Sequence, residues 1–181
     1  MPQCRDECWP AGCGRWASHV MLSPKAILGA TLLALAVLGL MFIPVPTLEV
    51  ASKHQERVLW RSRVAAGDVF TFSYIHSIEL IPVEGRFAVE ADGWLRVVET
   101  RFPSYGAGLP QASARSADGK WMVAPGGERL PRFSFYISPI NEARVHFNGR
   151  TLNLADLLEP GDVVTLKVAG YPRLLLHLNQ P

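Results

Sequence analysis

One stretch constrains this chain more than any other. Ala26–Val45 (AILGATLLALAVLGLMFIPV) runs twenty residues without a charge and with one polar side chain, Thr31. At about 1.5 Å of rise per residue, a helix of that length covers about 30 Å, the thickness of a bilayer's hydrocarbon core. The core helix of a soluble protein seldom reaches this length without one polar face. A secretory signal carries only about 7–15 apolar residues and ends in a small-x-small site. Here the run is longer and leads into Pro46, Thr47, Leu48 and Glu49, with Val50-Ala51-Ser52 as a weak site at best. An uncleaved membrane anchor is the expectation, and a cleaved signal is the alternative. Basic residues flank both sides, Arg5, Arg15 and Lys25 before the run and Lys53, Arg57, Arg61 and Arg63 after it. That count does not orient the segment. Lys25 directly abuts it, which leans toward an N-terminus inside.

Met21-Leu-Ser-Pro-Lys has the layout of a short basic leader attached to the apolar run, so the anchor unit reads as residues 21–45. Residues 1–20 hold all three cysteines, Cys4, Cys8 and Cys13, at spacings that fit no zinc pattern, with His19 the one nearby nitrogen ligand. The preferred reading is a disordered tail from a start placed before the true one at Met21. A metal or redox site there is the weaker alternative.

Residues 46–181 carry fifteen Lys+Arg and fourteen Asp+Glu, so this part is nearly neutral. Such a balance excludes a polybasic nucleic-acid binder. A segment of this size buries about two-thirds of its unfolded surface, enough for one independent core. Strand-like stretches fall at Arg57–Val64, Val69–Ile75, Val83–Ala91, Trp94–Phe102, Trp121–Val123, Arg132–Ile137, Arg144–Phe147, Val163–Val168 and Leu174–Leu178. Their spacing of about 8–12 residues predicts an all-β domain, a β-sandwich of immunoglobulin-like or related type, rather than βαβ units. Asp92-Gly93 and Asn148-Gly149 are expected to close type I′ hairpins. Gly67-Asp68-Val-Phe-Thr-Phe and Gly161-Asp162-Val-Val-Thr-Leu look like one turn-to-strand solution used twice. One short helical turn is expected at Ala155–Glu159, and Ser113–Gly127 reads as a mobile loop around one short strand.

Two segments are candidates for function. In Tyr74-Ile-His76-Ser77-Ile-Glu79-Leu-Ile-Pro82-Val-Glu84, strand alternation puts Phe70, Phe72, Tyr74 and His76 on one face. His76 and Ser77 then point apart and cannot form a nucleophilic pair. Glu79 or Glu84 is placed to reach His76 around the bend at Pro82 and set its tautomer or pKa. A structural histidine at the rim of the core is the plainer reading, ahead of a ligand contact or catalysis. In Ser104-Tyr-Gly106-Ala-Gly108-Leu109-Pro110, Gly-Ala-Gly allows close backbone approach and an anion nest, but it is neither a P-loop nor a dinucleotide fingerprint. A tight structural loop is again the plainer reading. His54, His146 and His177 are isolated in sequence, and Trp60, Trp94 and Trp121 read as core. No cofactor and no metal site is expected. The hairpin register is expected to make Glu84 and Phe102 near neighbours, joining both segments at one end of the sandwich.

Together, Tyr-x-His-Ser-Ile-Glu-x-x-Pro-Val-Glu (Tyr74–Glu84) and Glu-Thr-Arg-Phe-x-Ser-Tyr-Gly-Ala-Gly-Leu-Pro (Glu99–Pro110) resemble a small bacterial domain-of-unknown-function family, the one numbered eighteen-fifty. The similarity covers about residues 45–170. Where that family often has a second Glu after Pro-Val-Glu, this chain has Gly85. The resemblance implies an N-terminal apolar segment, an extracytoplasmic all-β domain at the bacterial inner membrane, and a gene beside a fused-permease TRAP transporter of the TAXI type. It implies no activity. The resulting expectation is a membrane-anchored, non-enzymatic accessory or binding module, with a TRAP-type permease or its solute-binding protein as partner. The alternative is a periplasmic hydrolase or metal-dependent enzyme using His76 with Glu79 or Glu84.

Overall fold

The computed structural model describes residues 23–173. The cysteines at 4, 8 and 13, His19, His177 and the strand expected at Leu174–Leu178 lie outside them. The chain divides into two units, residues 1–38 and 39–181.

Helix α1 spans Pro24–Phe42, nineteen residues with mean hydropathy 2.1 and no buried side chain. Ser23 caps it, its side-chain oxygen accepting from the Ala26 N–H at 3.3 Å, and Pro24 takes the first helical position where its missing N–H costs nothing. The helix stops three residues short of the expected Val45. Pro44 drives Ile43 out of the helical region, and Pro44–Ser52 is already strand β1. The helix is long and apolar enough to be a membrane anchor or a signal sequence.

The β domain is built from two antiparallel sheets. The smaller has the order β2-β1-β12-β9, with β2 at Arg57–Arg63, β9 at Phe133–Tyr136 and β12 at Val163–Pro172. In the larger, β11 (Arg150–Asn153), β10 (Arg144–Phe147), β3 (Val69–Ile75), β4 (Pro82–Val89), β5 (Leu95–Phe102), β7 (Met122–Pro125) and β6 (Ala114–Arg115) follow in that order. Strand β8 (Arg129–Leu130) pairs with β5 as well. Leu48, Val50, Val164 and Leu166 from the small sheet meet Phe70, Phe72, Phe87, Leu95 and Val145 from the large one in a single buried cluster. The period-two alternation of Val69–Ile75 shows directly in this packing: Phe70 and Phe72 are buried, and Thr71 between them faces outward.

Strand β1 was not foreseen, because its first residues continue the apolar run and Pro44 and Pro46 argue against a strand. Both prolines lie beyond the register that β1 shares with β2, where the Pro46 carbonyl still takes the Val64 N–H at 3.0 Å but no further strand pairing calls for the missing N–H groups. The outward-facing Glu49 is nonetheless buried, its carboxylate 3.3 Å from Lys167 Nζ and 3.7 Å from Arg61 Nε and bonded by the Tyr171 hydroxyl.

Asn148-Gly149 closes a two-residue hairpin with φ of 48° and 72°, as expected for type I′. Asp92-Gly93 does not. Its pairing ends at Val89↔Leu95, and Gly93, at φ 81°, donates to the Glu90 carbonyl, so the connection is longer. This takes Trp94 out of the strand and out of the core: it is 40% exposed beneath the Arg129 guanidinium. The similar Gly-Asp turns do share one geometry. Asp68 N–H donates to Ala65 O and Asp162 N–H to Glu159 O, each across a glycine at positive φ. The turn expected at Ala155–Glu159 is a 3₁₀ turn at Leu154–Asp156. Residues 113–127 contain two strands, β6 and β7, joined by a turn that Asp118 and Ser116 brace.

Candidate functional site

Strand β3 ends at Ile75, and the chain turns back through residues 76–81 into β4. The His76 N–H donates to Ile81 O at 2.8 Å and the Leu80 N–H to His76 O at 2.9 Å, closing a four-residue loop. Leu80 sits at φ 53°, a conformation that glycine or asparagine adopts more cheaply than leucine. Its side chain is nevertheless 65% exposed, and that of its neighbour Ile78 is 73% exposed.

Beyond β5, residues 103–110 form a second loop against the first. One Glu79 carboxylate oxygen accepts the Ala107 N–H at 2.9 Å. The Glu79 side chain also fills the space over Gly106: a Cβ on Gly106 would stand 2.4 Å from Glu79 Cγ. Gly106 is therefore needed for close approach, and Gly108, at φ 79°, for its backbone angle. Below both loops, Val83, Phe102, Met122 and Ala124 form a small separate core against which Tyr74 and Leu109 pack. Burial pushes the Tyr74 phenol above its usual pKa, so it remains protonated throughout the neutral range.

The aromatic row continues to its end, with the Tyr74 and His76 rings 6.5 Å apart. The carboxylates, however, do not go to His76. Its Nδ1 takes a bond from the Glu79 main-chain N–H at 3.3 Å, while the Glu79 side chain is committed to Ala107. Glu84 lies on the opposite face of the sheet from Tyr74, cross-strand from Ser73 and Arg101. The acid–histidine pairing expected from sequence is thus absent, because a main-chain donor inside the loop is nearer than either side chain. Glu84 pairs with Arg101, the residue before Phe102, so the two are near neighbours as expected; a β-bulge in β5 offsets the shift that the longer 90–94 turn introduces. Ser77, Pro82, Ser104 and Pro110 are exposed on the two loops, with Gly106 and Leu109 partly covered.

Glu79→Ala removes the Ala107 bond together with the cover that the side chain gives Gly106. A hydrogen bond of this kind is worth about 1 kcal/mol, so the Ala107 amide is expected to exchange with solvent about fivefold faster while global stability changes little. Unchanged exchange at Ala107 would show that the loops are held together by something else.

Two histidines set aside in the sequence do find partners. His146 Nε2 is 3.0 Å from Ser73 Oγ and its Nδ1 is 2.9 Å from Thr151 Oγ1, on the outer face of the large sheet. Strand β3 is paired on both sides there, so its main-chain N–H groups are spent in the ladder and none is free to stabilise an oxyanion beside Ser73. At the start of β12, buried Asp162 accepts Ser52 Oγ–H at 2.6 Å, His54 N–H at 3.2 Å and Val163 N–H at 2.7 Å, with His54 Nδ1 3.4 Å away. Only the fold shows these contacts, because more than a hundred residues separate Ser52 and His54 from Asp162. Among the described residues, no three His, Cys, Asp or Glu side chains converge as a metal site.

Burial alone raises the Asp162 pKa, but its hydrogen bonds and His54 outweigh that and hold it below the usual carboxylate value. A depressed folded-state pKa stabilises the domain above the unfolded carboxylate pKa, and this contribution is lost as pH falls through the folded one. The stability difference between wild type and Asp162→Asn is expected to shrink as urea titrations move from neutral pH to below the ordinary carboxylate range. A pH-independent difference would assign the effect of the substitution to packing.

Residues 70–154 match the family model described as Domain of unknown function (DUF1850). No curated protein and no solved structure matches the chain. The DUF1850 match takes in Phe70 of β3 through Asn153 of β11, so it spans almost all of the large sheet together with β9 and both loops of the candidate site. Strands β1, β2 and β12 fall outside it.

Proposed function

We propose that this protein is a membrane-anchored extracytoplasmic accessory module of a TAXI-type TRAP uptake system, and that it docks on the permease or the solute-binding protein through the joined loops at 76–81 and 103–110. One observation carries the docking reading. Ile78, Leu80 and Tyr105, each more than 60% exposed, project from loops that Glu79 ties together, and Leu80 holds a backbone angle that disfavours leucine. Exposed apolar side chains on a braced, strained loop mark an interaction site rather than a folding requirement. The partner class rests on the family resemblance.

The strand that follows the helix favours retention of the anchor. Cleavage at Val50-Ala51-Ser52 would cut away β1, an internal strand whose Leu48 and Val50 are fully buried in the core. A signal peptidase cut there would remove the middle of the small sheet. An anchor also raises the effective concentration of the domain toward any partner in the same bilayer, so a modest contact patch suffices.

The test is uptake in a strain whose own copy carries Leu80→Asn or Ile78→Ser. Asparagine accepts the positive φ, and both positions are exposed, so the fold is expected to survive. Loss of TAXI-type uptake and of co-purification with permease or binding protein supports the reading. Normal uptake in the deletion strain, with no co-purification, removes the accessory role. Activity of a C-terminal cytoplasm-only reporter, with none from alkaline phosphatase, removes the proposed orientation.

A further inference from the structure

The outer face of the small sheet holds a cavity of about 390 Å³ where β1, β12 and β9 come together. Ala51 and Val163 form an apolar part of its wall, and Lys53, Arg132, Ser134 and Thr165 supply polar groups. The volume is at the lower end of the range for small-molecule sites, about 300–1,000 Å³.

The charges around it are unbalanced. Several arginines of the β domain are committed to acids: Arg86 and Arg101 to Glu99, Arg96 and Arg129 to Glu90, Arg144 to Glu142. Lys53 and Arg132 have no acidic partner and no side-chain hydrogen bond among the described residues, and both are exposed. Two acidic groups lie near this face, and both are already satisfied. Asp162, behind Ser52, is covered by the three hydrogen-bond donors described above. Glu49, one step along β1 from Ala51 on the same face, is held by Lys167, Arg61 and Tyr171.

The hydroxyls add direction. Ser134 Oγ and Thr165 Oγ1 are 3.1 Å apart, cross-strand partners on β9 and β12. Each hydroxyl has one proton, and their mutual bond uses one of the two, so the pair keeps one O–H donor for a third group. Two cations and a hydroxyl donor beside an apolar wall match an oxyanion attached to a short carbon chain.

We propose that this cavity binds a small organic oxyanion, a carboxylate or phosphate compound of one to two negative charges, with Lys53 and Arg132 as its counter-charges and the Ser134–Thr165 pair as its orienting donor. The site is separate from the docking loops and does not depend on their role.

The test uses the full chain in a neutral detergent, with succinate and inorganic phosphate as separate probes at constant ionic strength set by chloride. Amide spectra of the labelled protein follow Ser134, Thr165 and Val163 during each titration. The expected result is saturable movement of these three signals with at least one probe, and an affinity at least tenfold weaker in Lys53→Ala/Arg132→Ala. Ser134→Val is a second variant that leaves the charges in place, and it is expected to weaken binding several-fold. Saturation by phosphate alone assigns a phosphate ligand, and by succinate a carboxylate. A third arm adds short-chain phosphatidylglycerol. Movement of the three signals with that lipid, and with neither small probe, would overturn a soluble ligand in favour of a lipid headgroup. No saturable movement with any probe, or equal affinity in the double variant, would overturn the site itself.

Discussion

Phe72→Ala is expected to cost the β domain about 3–5 kcal/mol, the range for a large aromatic side chain removed from a packed core. A domain of this kind is stable by only about 5–15 kcal/mol, so the loss is a large part of the whole. Phe72 is 1% exposed on β3 of the large sheet, and its ring lies 4.9 Å from Phe133 and 4.8 Å from Phe135, both on β9 of the small one. It therefore joins the two sheets at one edge of the small one. Strand β9 is an edge, hydrogen-bonded only to β12, and its inward hold is this pair of phenylalanines. Alanine would leave a cavity between the sheets and remove the one ring that touches both β9 phenylalanines, leaving Phe133 on Phe87 and Phe135 on Tyr74, each at 4.8 Å. A fall in the urea midpoint at unchanged slope measures the effect, with exposed Ile78→Ala as a control expected within about 0.5 kcal/mol. A loss below about 1 kcal/mol would mean that the sheets close over the gap and that the aromatic bridge is not what holds them.

The same residues show what can be read in sequence and what cannot. The alternation of Phe70, Phe72 and Tyr74 is local, and it predicted both the strand and its buried face. Asn148-Gly149 is local too, since two positive φ angles select it. Glu84 and Phe102 are near neighbours as the hairpin predicts, but only because the extra residue of the β5 bulge, which no pattern in Trp94–Phe102 announces, offsets the longer turn before it. Strand β1 was obscured by its own composition, which continues the membrane-like run. The joining of the two candidate loops was anticipated from the hairpin, but its means were not. The sequence places Glu79 or Glu84 within reach of His76, whereas a main-chain N–H twenty-eight residues away holds the Glu79 carboxylate. His54, Ser52 and Asp162, like His146 and Ser73, meet only through long-range pairing. Side-chain clusters assembled across sheets leave no spacing in the chain from which to find them.

Gly126→Ala is expected to be the most damaging single-methyl change in the domain, because the methyl has no room and the obstacle is main chain. A Cβ on Gly126 would stand 2.2 Å from the Val97 carbonyl oxygen and 2.5 Å from its carbon, closer than any real contact allows. Three hydrogen bonds hold the two segments in this embrace: Gly126 N–H to Val98 O, Gly127 N–H to Val97 O, and Val97 N–H to Glu128 O. The location explains the need. Val98 is the extra residue of the β5 bulge, and residues 126–128 bridge it between β7 and β8, which flank β5 on either side of the irregularity. A flexible side chain could swing aside, but a carbonyl in a paired strand moves only if the ladder moves with it. Relief therefore requires breaking these bonds or displacing β5 from β4, and the cost is expected at about 1–3 kcal/mol or above. Gly127→Ala separates the two kinds of glycine requirement. Its Cβ meets nothing within 4 Å, and only its φ of 134° disfavours a side chain. Urea titrations of both variants should show lost stability, and hydrogen exchange should place the loss differently. Faster exchange of Val97 and of the β4–β5 ladder is expected in Gly126→Ala, and of residues 126–128 alone in Gly127→Ala. Equal stability of Gly126→Ala and wild type would mean that the bridge over the bulge can lift away at no cost, contrary to the three bonds that hold it.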